Sequence, residues 1–561
     1  MKMTGAKIFV ESLLKEGVDT IFGFPGGAVL PIYDVLYDAP IRHILTRHEQ
    51  GATHAADGYA RATGKVGVCL VTSGPGATNT VTGLATAYMD SIPIVVFTGQ
   101  VPTALIGNDA FQEADIVGIT RPCTKHNYLV KDVRDLARII KEAFYIAATG
   151  NQGPVLIDLP KDVLNAETKF EYPNSANLRS YKPTVEGHLR QIKKMSDEIA
   201  RAKKPVLYVG GGVILSNASE ELADLSKIAQ IPVTTTLMGL GSIASTNKLS
   251  LGMCGMHGTF RSNLAITEAD LLIAVGARFD DRVTGKLDEF SVKSKKIQID
   301  IDPTSVGKNV AVDLPVVGDI KNVLKKLNSL LKQVKKDWKK DLKPWHRQIE
   351  KWKKTYPLAY KQGKGVIKPQ YVIEQIAEIT RGDAIFATDV GQHQMWSAQY
   401  LTFKKPRTFL TSGGLGTMGY GFPAGIGAQA AFPKRTVFVI SGDGSFQMNL
   451  QELVTAVEHQ LPVKIAIINN GYLGMVRQWQ QLFYEKRYSS VCLASSPDFV
   501  KLADSYGALG LRAKKPEEVK KTIEKALAYD GPVVIDFVVA KEENVYPMVP
   551  AGKPIHEMLL V

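Results

Sequence analysis

The chain has 561 residues, which is enough for three or four domains with large buried cores. Its composition is that of a water-soluble enzyme, and no apolar run reaches the roughly 18 residues that a membrane span needs. Much of the net charge of +13 sits in residues 321–369, which read as a solvated helical connector with its Trp and Leu side chains buried. Because no recognition motif accompanies this charge, we expect no nucleic-acid partner.

The N-terminal segment predicts an amphipathic helix followed by a strand and a turn, without a signal-peptide core or cleavage site. The four cysteines, Cys69, Cys123, Cys254 and Cys492, are scattered and form no CxxC pair. Such cysteines are typical of reduced thiols. We therefore expect a cytoplasmic protein without a membrane anchor.

Three pieces of similar size alternate apolar strands with helices: residues 1–165, 190–330 and 367–545. This alternation predicts an α/β protein with three doubly wound parallel-sheet domains. A polar linker separates the first two domains, and the lysine-rich connector separates the second from the third. Residues 546–561 form a C-terminal tail that we interpret as a possible lid over the site.

In the first domain, Glu49 stands at the end of a short apolar strand and before a helix of small residues. Viewed alone, it is an exposed or capping acid, because Glu is rarely buried unpaired. In the second domain, residues 210–212 are three glycines after the strand VLYV, a turn that allows close backbone approach to a cofactor. The signal is weak, since no acid follows about twenty residues later as in a dinucleotide-binding fingerprint.

The third domain carries the most informative motif, Gly442-Asp443-Gly444-Ser445 followed by Asn469-Asn470. Each run ends an apolar strand, and the residues between, 445–460, have the spacing of a helix. In such a unit the strands are parallel, so Asp443 and Asn470 emerge together at their carboxyl ends. A carboxylate, an amide oxygen and turn carbonyls suit Mg²⁺ bound to a diphosphate.

This motif, GDG and then NN, resembles the signature of the thiamine diphosphate (ThDP) enzymes, and the resemblance covers essentially the whole chain. It implies a pyrimidine-binding, a central and a diphosphate-binding domain, in that order. It further implies that Asp443, Asn470 and the backbone carbonyl of Tyr472 hold the metal. The cofactor contacts that it implies are Gln392, His393, Gly416, Met418, Gly442, Asp443, Gly444, Ser445 and Asn470.

The resemblance gives Glu49 the role of the carboxylate that hydrogen-bonds the aminopyrimidine ring and promotes its imino tautomer. In this family the two halves of the cofactor bind different domain types. The site therefore lies between the first domain of one subunit and the third domain of another. A homodimer is the smallest functional unit, and a homotetramer is possible.

The central domain resembles the FAD-binding domain of acetohydroxyacid (acetolactate) synthase catalytic subunits. The FAD contacts that this implies are Gly210, Gly211, Gly212, Thr236, Leu237, Met238, His257, Arg278, Asp300 and Asp319. In that family the flavin has no net redox role. The chain departs from the family pattern at Asn151, where an Arg often stands, so its support of FAD differs there.

Other matches concern substrate and catalysis. Arg282 matches the Arg that binds the 2-ketoacid carboxylate, and Trp479 matches the bulky residue that favours 2-ketobutyrate as acceptor. The remaining matches are Phe111, Gln112 and Lys161 at the active site, and Met256 and Met475 along the channel. Taken singly, each has an ordinary structural explanation; in register over five hundred residues they indicate the family.

The resemblance implies that the chain decarboxylates pyruvate on ThDP and condenses the hydroxyethyl carbanion with pyruvate or 2-ketobutyrate. The products, 2-acetolactate and 2-aceto-2-hydroxybutyrate, belong to branched-chain amino-acid biosynthesis, and a small regulatory subunit is a possible partner. Two alternatives remain open. One is a pyruvate oxidase-like or FAD-free catabolic enzyme, and the other is a catalytically silent subunit with the same fold.

Overall fold

The computed structural model describes residues 2–560; Met1 and Val561, which belong to the predicted first domain and tail, lie outside the described residues. Three six-stranded sheets with only parallel strand pairs organise the chain, which confirms the predicted fold class. Among the described helices, none has the length and apolar character to cross a membrane.

The first sheet has the order β3-β2-β4-β5-β7-β6, and β1 and β8 form a separate two-stranded antiparallel sheet. The strands are β1 (Lys2–Thr4), β2 (Thr20–Phe24), β3 (Arg42–Leu45), β4 (Gly67–Val71), β5 (Ile94–Gln100), β6 (His126–Leu129), β7 (Val155–Pro160) and β8 (Glu167–Lys169). The helices are α1 (Gly5–Lys15), α2 (Leu30–Leu36), α3 (Glu49–Thr63), α4 (Pro75–Thr78), α5 (Val81–Asp90), α6 (Ile116–Thr120), α7 (Leu136–Ala148) and α8 (Lys161–Asn165).

The central sheet has the order β11-β10-β9-β12-β13-β14, which is the 3-2-1-4-5-6 order of dinucleotide-binding domains. Its strands are β9 (Pro205–Val209), β10 (Val233–Thr235), β11 (Ser250–Met253), β12 (Leu271–Val275), β13 (Lys295–Asp300) and β14 (Leu314–Val317). Its helices are α9 (Leu189–Arg201), α10 (Gly212–Leu215), α11 (Ser219–Ala229), α12 (Phe260–Glu268), α13 (Asp281–Thr284) and α14 (Ile320–Leu331).

The connector forms α15 (Trp338–Asp341) and α16 (Lys343–Thr355), and the third sheet has the order β16-β15-β17-β18-β20-β19. Its strands are β15 (Ile385–Thr388), β16 (Phe409–Thr411), β17 (Val437–Gly442), β18 (Lys464–Asn469), β19 (Leu509–Ala513) and β20 (Val533–Val538). The helices are α17 (Pro369–Ile379), α18 (Gln392–Tyr400), α19 (Gly421–Ala431), α20 (Asp443–Phe446), α21 (Glu452–Glu458), α22 (Gly474–Phe483), α23 (Phe499–Ser505) and α24 (Pro516–Ala528).

The first and third sheets share one topology, because counting strands within each sheet gives the order 2-1-3-4-6-5 in both. Short 3-10 helices lie in the connections, at Thr103–Leu105, Arg121–Cys123, Val133–Asp135, Leu237–Gly239, Leu287–Glu289 and Pro303–Ser305.

One predicted element is wrong in detail. The helix expected over residues 445–460 is broken into α20 and α21 by a turn at 447–451. In this turn the side chain of Asn449 donates to the carbonyl of Gly419 at 2.7 Å, so the chain bends toward the glycine-rich loop of the same domain. A side-chain bond to a distant carbonyl has no signature in the local spacing of apolar residues.

The first and third domains pack tightly through α3 and α19. A Cβ on Gly58 would lie 2.2 Å from the Ala424 carbonyl oxygen, and a Cβ on Gly427 would lie 1.9 Å from that of Ala55. Only residues without a side chain permit this approach of two helix backbones. The small-residue composition of α3 therefore serves an interface between domains of the same chain.

We expect Trp345→Ala to destabilise the central domain by about 3–5 kcal/mol, because it leaves a large cavity. Trp345 is 2% exposed, and its indole nitrogen donates to the Pro205 carbonyl at 3.2 Å, which ties the connector to the start of β9. Thermal unfolding followed by circular dichroism would show a lower midpoint. Lys353→Ala, on the exposed face of the same helix, is the control and leaves the midpoint unchanged. Equal midpoints for wild type and Trp345→Ala would contradict a packed connector.

Candidate active site

The GDGS and NN motifs meet at one edge of the third sheet. β17 and β18 are parallel, with Gly442 opposite Ile468, so Asp443 and Asn470 follow neighbouring strands. Asp443 is buried, and its Oδ2 has no hydrogen-bond partner among the described residues. Burial raises the pKa of Asp443 to about 7, against the opposing effect of nearby backbone N–H groups. A buried carboxylate oxygen without a partner is costly, and a bound cation would satisfy it.

The amide of Asn470 is held in place beside this carboxylate. Its Oδ1 accepts a hydrogen bond from the backbone N–H of Tyr472 at 3.0 Å, and its Nδ2 donates to Oε1 of Gln392 at 3.4 Å. Among the described residues, no group of three or more His, Cys, Asp or Glu side chains could hold a metal. The GDGS and NN site offers one carboxylate, one amide and backbone carbonyls.

Glycines keep space open around these groups. A Cβ on Gly442 would lie 3.0 Å from the His393 ring, and a Cβ on Gly474 would lie 2.2 Å from Oε1 of Gln392. The methyl of Met418 lies 3.9 Å from a Cβ built on Gly444. The structure thus places His393 and Met418 beside the GDGS motif, and Gln392 beside Gly474 and Asn470. Ser445 is fixed there by donating to the Val390 carbonyl at 3.2 Å.

The His393 ring is buried, and burial lowers its pKa to about 3, so the ring is neutral. Its Nε2 has no hydrogen-bond partner among the described residues. Whichever tautomer the ring adopts, this buried nitrogen lacks a partner among the described residues, and a polar ligand could supply one.

Two buried aspartates that the sequence reasoning missed hold the glycine-rich loop 413–421. Asp389 accepts the backbone N–H groups of Gly419 and Gly421 at 2.8 and 2.9 Å and the Ser441 hydroxyl at 2.6 Å. Asp90, from the first domain, accepts the N–H groups of Gly413 and Gly414 at 3.0 and 2.7 Å. A single Asp after a buried strand or at a helix end has no local pattern that marks this role.

A cavity of about 770 Å³ lies where the three domains meet. A volume of this size suits a cofactor or a drug-sized ligand. The predicted residues that line it are Gly210, Gly211, Gly212, Thr236, Leu237, Met238, Met256, His257, Arg278, Arg282, Asp300, Asp319, Gly416, Met418, Met475 and Trp479. The predicted FAD and substrate residues therefore share one cavity with the glycine-rich loop.

The central domain meets this cavity at its topological switch point, between β9 and β12. A Cβ on Gly210 would lie 2.1 Å from the Gly276 carbonyl oxygen, so the turns after the two strands are in contact. Asp300 is buried beside them, and burial raises its pKa to about 6. The Asp319 carboxylate already has two hydrogen-bond partners, since it accepts the Ser216 hydroxyl at 2.6 Å and the N–H of Asn322 at 3.0 Å.

The substrate residues lie at the other end of the cavity, beside the C-terminal tail. The N–H of Met256 donates to the Arg282 carbonyl at 2.8 Å, and the N–H of Val549 donates to the Met256 carbonyl at 2.8 Å. The Arg282 side chain is 63% exposed and has only a loose ion pair to Asp281 at 3.7 Å, so its guanidinium is available to an anion. His257 faces the tail, with Nδ1 3.3 Å from the Pro547 carbonyl.

Four predicted residues of the first domain are not among the residues that line this cavity. Glu49 begins α3 and accepts a hydrogen bond from Nδ2 of Asn79 at 2.9 Å. Gln112 has a left-handed backbone (φ 60°), Phe111 is 89% exposed, and Lys161 begins α8. All four follow strands β3, β5 and β7, at the carboxyl edge of the first sheet. Within one chain, the structure does not bring them to the GDGS motif.

Comparisons with known proteins identify each domain. Family models described as "Thiamine pyrophosphate enzyme" match at residues 3–119 (N-terminal TPP binding domain), 192–327 (central domain) and 389–537 (C-terminal TPP binding domain).

Similar proteins match along almost the whole chain. Acetolactate synthase of Mycobacterium bovis is 53% identical over 558 residues, covering 98% of this chain and 90% of the relative. The acetolactate synthase large subunit of Haemophilus influenzae is 50% identical over 563 residues, covering 100% and 98%. That of Corynebacterium glutamicum is 52% identical over 558 residues, covering 98% and 89%.

Proposed function

The chain belongs to the acetolactate synthase family of thiamine diphosphate enzymes, and on that premise we propose how its residues carry the activity. The reaction releases CO₂ from pyruvate and joins the remaining two carbons to a second 2-ketoacid. Pyruvate as acceptor gives 2-acetolactate, and 2-ketobutyrate gives 2-aceto-2-hydroxybutyrate. These products lead to branched-chain amino acids. The observation that carries the assignment of the site is the buried Asp443 carboxylate beside Asn470, whose Oδ2 has no hydrogen-bond partner among the described residues.

When bound, thiamine diphosphate supplies the electron sink for the carbanion that decarboxylation leaves. We propose that Asp443, Asn470 and the carbonyl of Tyr472 hold Mg²⁺ against the diphosphate. The buried Oδ2 of Asp443, which has no hydrogen-bond partner among the described residues, and the glycine-lined space around it support this. Neutral His393 can donate or accept a hydrogen bond there, and Met418 offers an apolar contact without charge.

Glu49 is the proposed proton-transfer group. Its Oε2 accepts from Asn79, which leaves Oε1 free to exchange a proton with a ring nitrogen placed against α3. A carboxyl group is suited to this exchange because it can hold the proton or release it at the same atom. Gln112, Phe111 and Lys161 lie at the same edge of the first sheet and would complete this half of the site.

FAD is the proposed occupant of the central part of the cavity. The 3-2-1-4-5-6 strand order, the glycine turn at the switch point and the Arg278 guanidinium support this. The overall reaction needs no oxidant, so a flavin there would have no net redox role. Asn151 stands where relatives of this type often carry Arg. Its side chain donates to Asp302 at 3.3 Å and so links the first and central domains, but it brings no positive charge to the cavity.

Substrate selection follows from the far end of the cavity. We propose that the exposed guanidinium of Arg282 binds the carboxylate of the acceptor ketoacid through its two-donor fork. Met475 and Trp479, one turn apart on α22, present apolar surface to the acceptor side chain. The tail and α22 together would exclude water, which would otherwise protonate the carbanion equivalent and release acetaldehyde.

We also propose the assembly and location. A homodimer or homotetramer would close the site by placing the first domain of one chain on the third domain of another. The relatives named large subunits suggest a small regulatory partner. Four free cysteines, two of them buried, suit the reducing environment of the cytoplasm.

The first test is pyruvate turnover with ThDP, Mg²⁺ and FAD, with acetolactate, acetaldehyde and acetate quantified separately. We expect acetolactate as the main product. Glu49→Gln should lower kcat by about 10²–10⁴-fold, because it removes the proton-transfer group. Glu167→Gln, an exposed acid of the same domain, is the charge-matched control. Acetaldehyde or acetate as main product would argue against a synthase, and full activity of Glu49→Gln would exclude its proposed role.

Mixing two inactive variants tests whether chains share the site. Glu49→Gln and Asp443→Asn, co-expressed with different affinity tags, should recover about a quarter of wild-type activity, since half the dimers are mixed and each has one intact site. Each variant alone is inactive. If one chain forms a whole site, the mixture is as inactive as its components.

Flavin retention tests the cavity assignment independently of turnover. Arg278→Ala should weaken the Kd for FAD by roughly 10–100-fold, because a charge-assisted hydrogen bond is lost. Quenching of flavin fluorescence on titration measures this. Arg347→Ala, exposed on the connector, is the control. A Kd unchanged in Arg278→Ala would remove Arg278 from the proposed site.

A further inference from the structure

A carboxylate of the third domain is buried at the start of α3, next to Glu49 of the same chain. Glu452, the first residue of α21, is 0% exposed. Its Oε1 accepts the backbone N–H groups of Arg47 and His48 at 3.0 and 2.9 Å, and its Oε2 accepts that of Arg47 at 3.1 Å. The Thr455 hydroxyl is the third donor and makes the fourth hydrogen bond, at 2.8 Å. All four contacts present hydrogens to the two oxygens, so the ionised carboxylate matches the site.

The backbone donors are the two residues that immediately precede Glu49. His48 is the N-cap of α3, and its ring accepts the N–H of Gln50 at 3.0 Å. The carboxylate of Glu452 therefore lies at the positive end of a 15-residue helix, where a negative charge is stabilising. The first turn of α3 makes room for it, because a Cβ on Gly51 would lie 2.5 Å from Oε1 of Glu452.

Glu452 is itself fixed to the diphosphate half of the fold. The turn before α21 is tied to the glycine-rich loop by the bond from Asn449 to the Gly419 carbonyl at 2.7 Å. The same loop carries Met418, and α20 before the turn begins with Asp443. A short, buried chain of contacts therefore runs from the proposed metal residue to the backbone that presents Glu49.

We infer that Glu452 is a positioning residue that sets the backbone of Glu49 from the third domain of the same chain, an inference that rests on the proposed role of Glu49. It touches no substrate or cofactor in this arrangement. Burial raises the pKa of Glu452 to about 7, because a charge at this interface is desolvated. The Thr455 hydroxyl and the two backbone donors oppose this rise. A group with only a packing role would not need three donors making four hydrogen bonds to its oxygens.

Variants at Glu452 separate hydrogen bonding from charge. Glu452→Gln keeps an oxygen for the Arg47 and His48 donors but loses the charge, whereas Glu452→Ala loses both. The control is Glu458→Gln on the same helix, because Glu458 pairs at the surface with the Arg47 side chain at 2.5 Å and not with its backbone.

The holoenzyme is assayed for kcat and KM with pyruvate and for the midpoint of thermal unfolding. A third assay follows exchange of the cofactor's thiazolium C2 proton in D₂O: the reaction is quenched at set times and the remaining proton is quantified by NMR. That exchange reports the proton transfer assigned to Glu49. We expect Glu452→Gln to lower both the exchange rate and kcat by about 5–20-fold, with KM changed less than about 2-fold. Glu452→Ala should lower both rates by about 100-fold, because a misplacement of a reacting group by about 1 Å has an effect of that size. Glu458→Gln should match wild type.

Normal exchange in Glu452→Gln and Glu452→Ala, or a lower thermal midpoint with normal exchange, would overturn the inference and leave Glu452 a packing residue. If Glu452→Ala does not fold, the exchange rate of Glu452→Gln decides. Failure of the proposed function is a separate result: wild type would then form no acetolactate, or Glu49→Gln would exchange the proton as fast as wild type.

Discussion

The contact between α3 and α19 is the constraint on which the arrangement of the site depends. Two helix backbones approach through Gly58 and Gly427 so closely that neither position has space for a side chain. This contact fixes the first domain against the third, and with it the place of the α3 N-terminus relative to α21. A wider helix separation would move the start of α3 away from Glu452, which accepts the backbone N–H groups of Arg47 and His48.

Buried charges make the same domain contact specific. Arg61 donates to Asp57 at 2.6 Å and to Asp90 at 2.8 Å, and the Tyr420 hydroxyl donates to Asp57 at 2.6 Å. A buried ion pair adds little net stability, since desolvation offsets much of the attraction, but breaking one partner is costly. Its effect is to permit one register of the two helices. Asp90 extends this network to the glycine-rich loop 413–421, so the same charges position the loop that lines the cavity.

Much of the site could be predicted because the sequence places its residues on neighbouring strands. Asp443 and Asn470 follow two apolar strands joined by one crossover, and parallel pairing then leaves no other arrangement. The glycines at 210–212 gave only a weak signal, because the expected acid is missing. What supports a nucleotide there is the 3-2-1-4-5-6 strand order, which depends on tertiary pairing and cannot be read from local patterns.

The residues that sequence reasoning missed are those that act on backbone N–H groups of distant segments. Asp90 ends α5, Asp389 directly follows β15 and Glu452 begins α21. Each accepts hydrogen bonds from a loop or helix start elsewhere in the chain. Backbone donors have no sequence signature, so such acids look like ordinary caps. The broken helix before Glu452 has the same origin, since Asn449 bonds to a carbonyl thirty residues away.

The separation of Glu49 from the cavity within one chain follows from this architecture. The first sheet directs Glu49, Gln112 and Lys161 to its own carboxyl edge, while the third sheet directs Asp443 to another. Phe111 stays 89% exposed at that edge, although burying such a ring is worth about 1.5–3 kcal/mol. An exposed apolar ring beside the proposed catalytic groups is what a surface needs if a second chain covers it. Glu452 would then hold Glu49 for one site while its own domain binds the diphosphate of another.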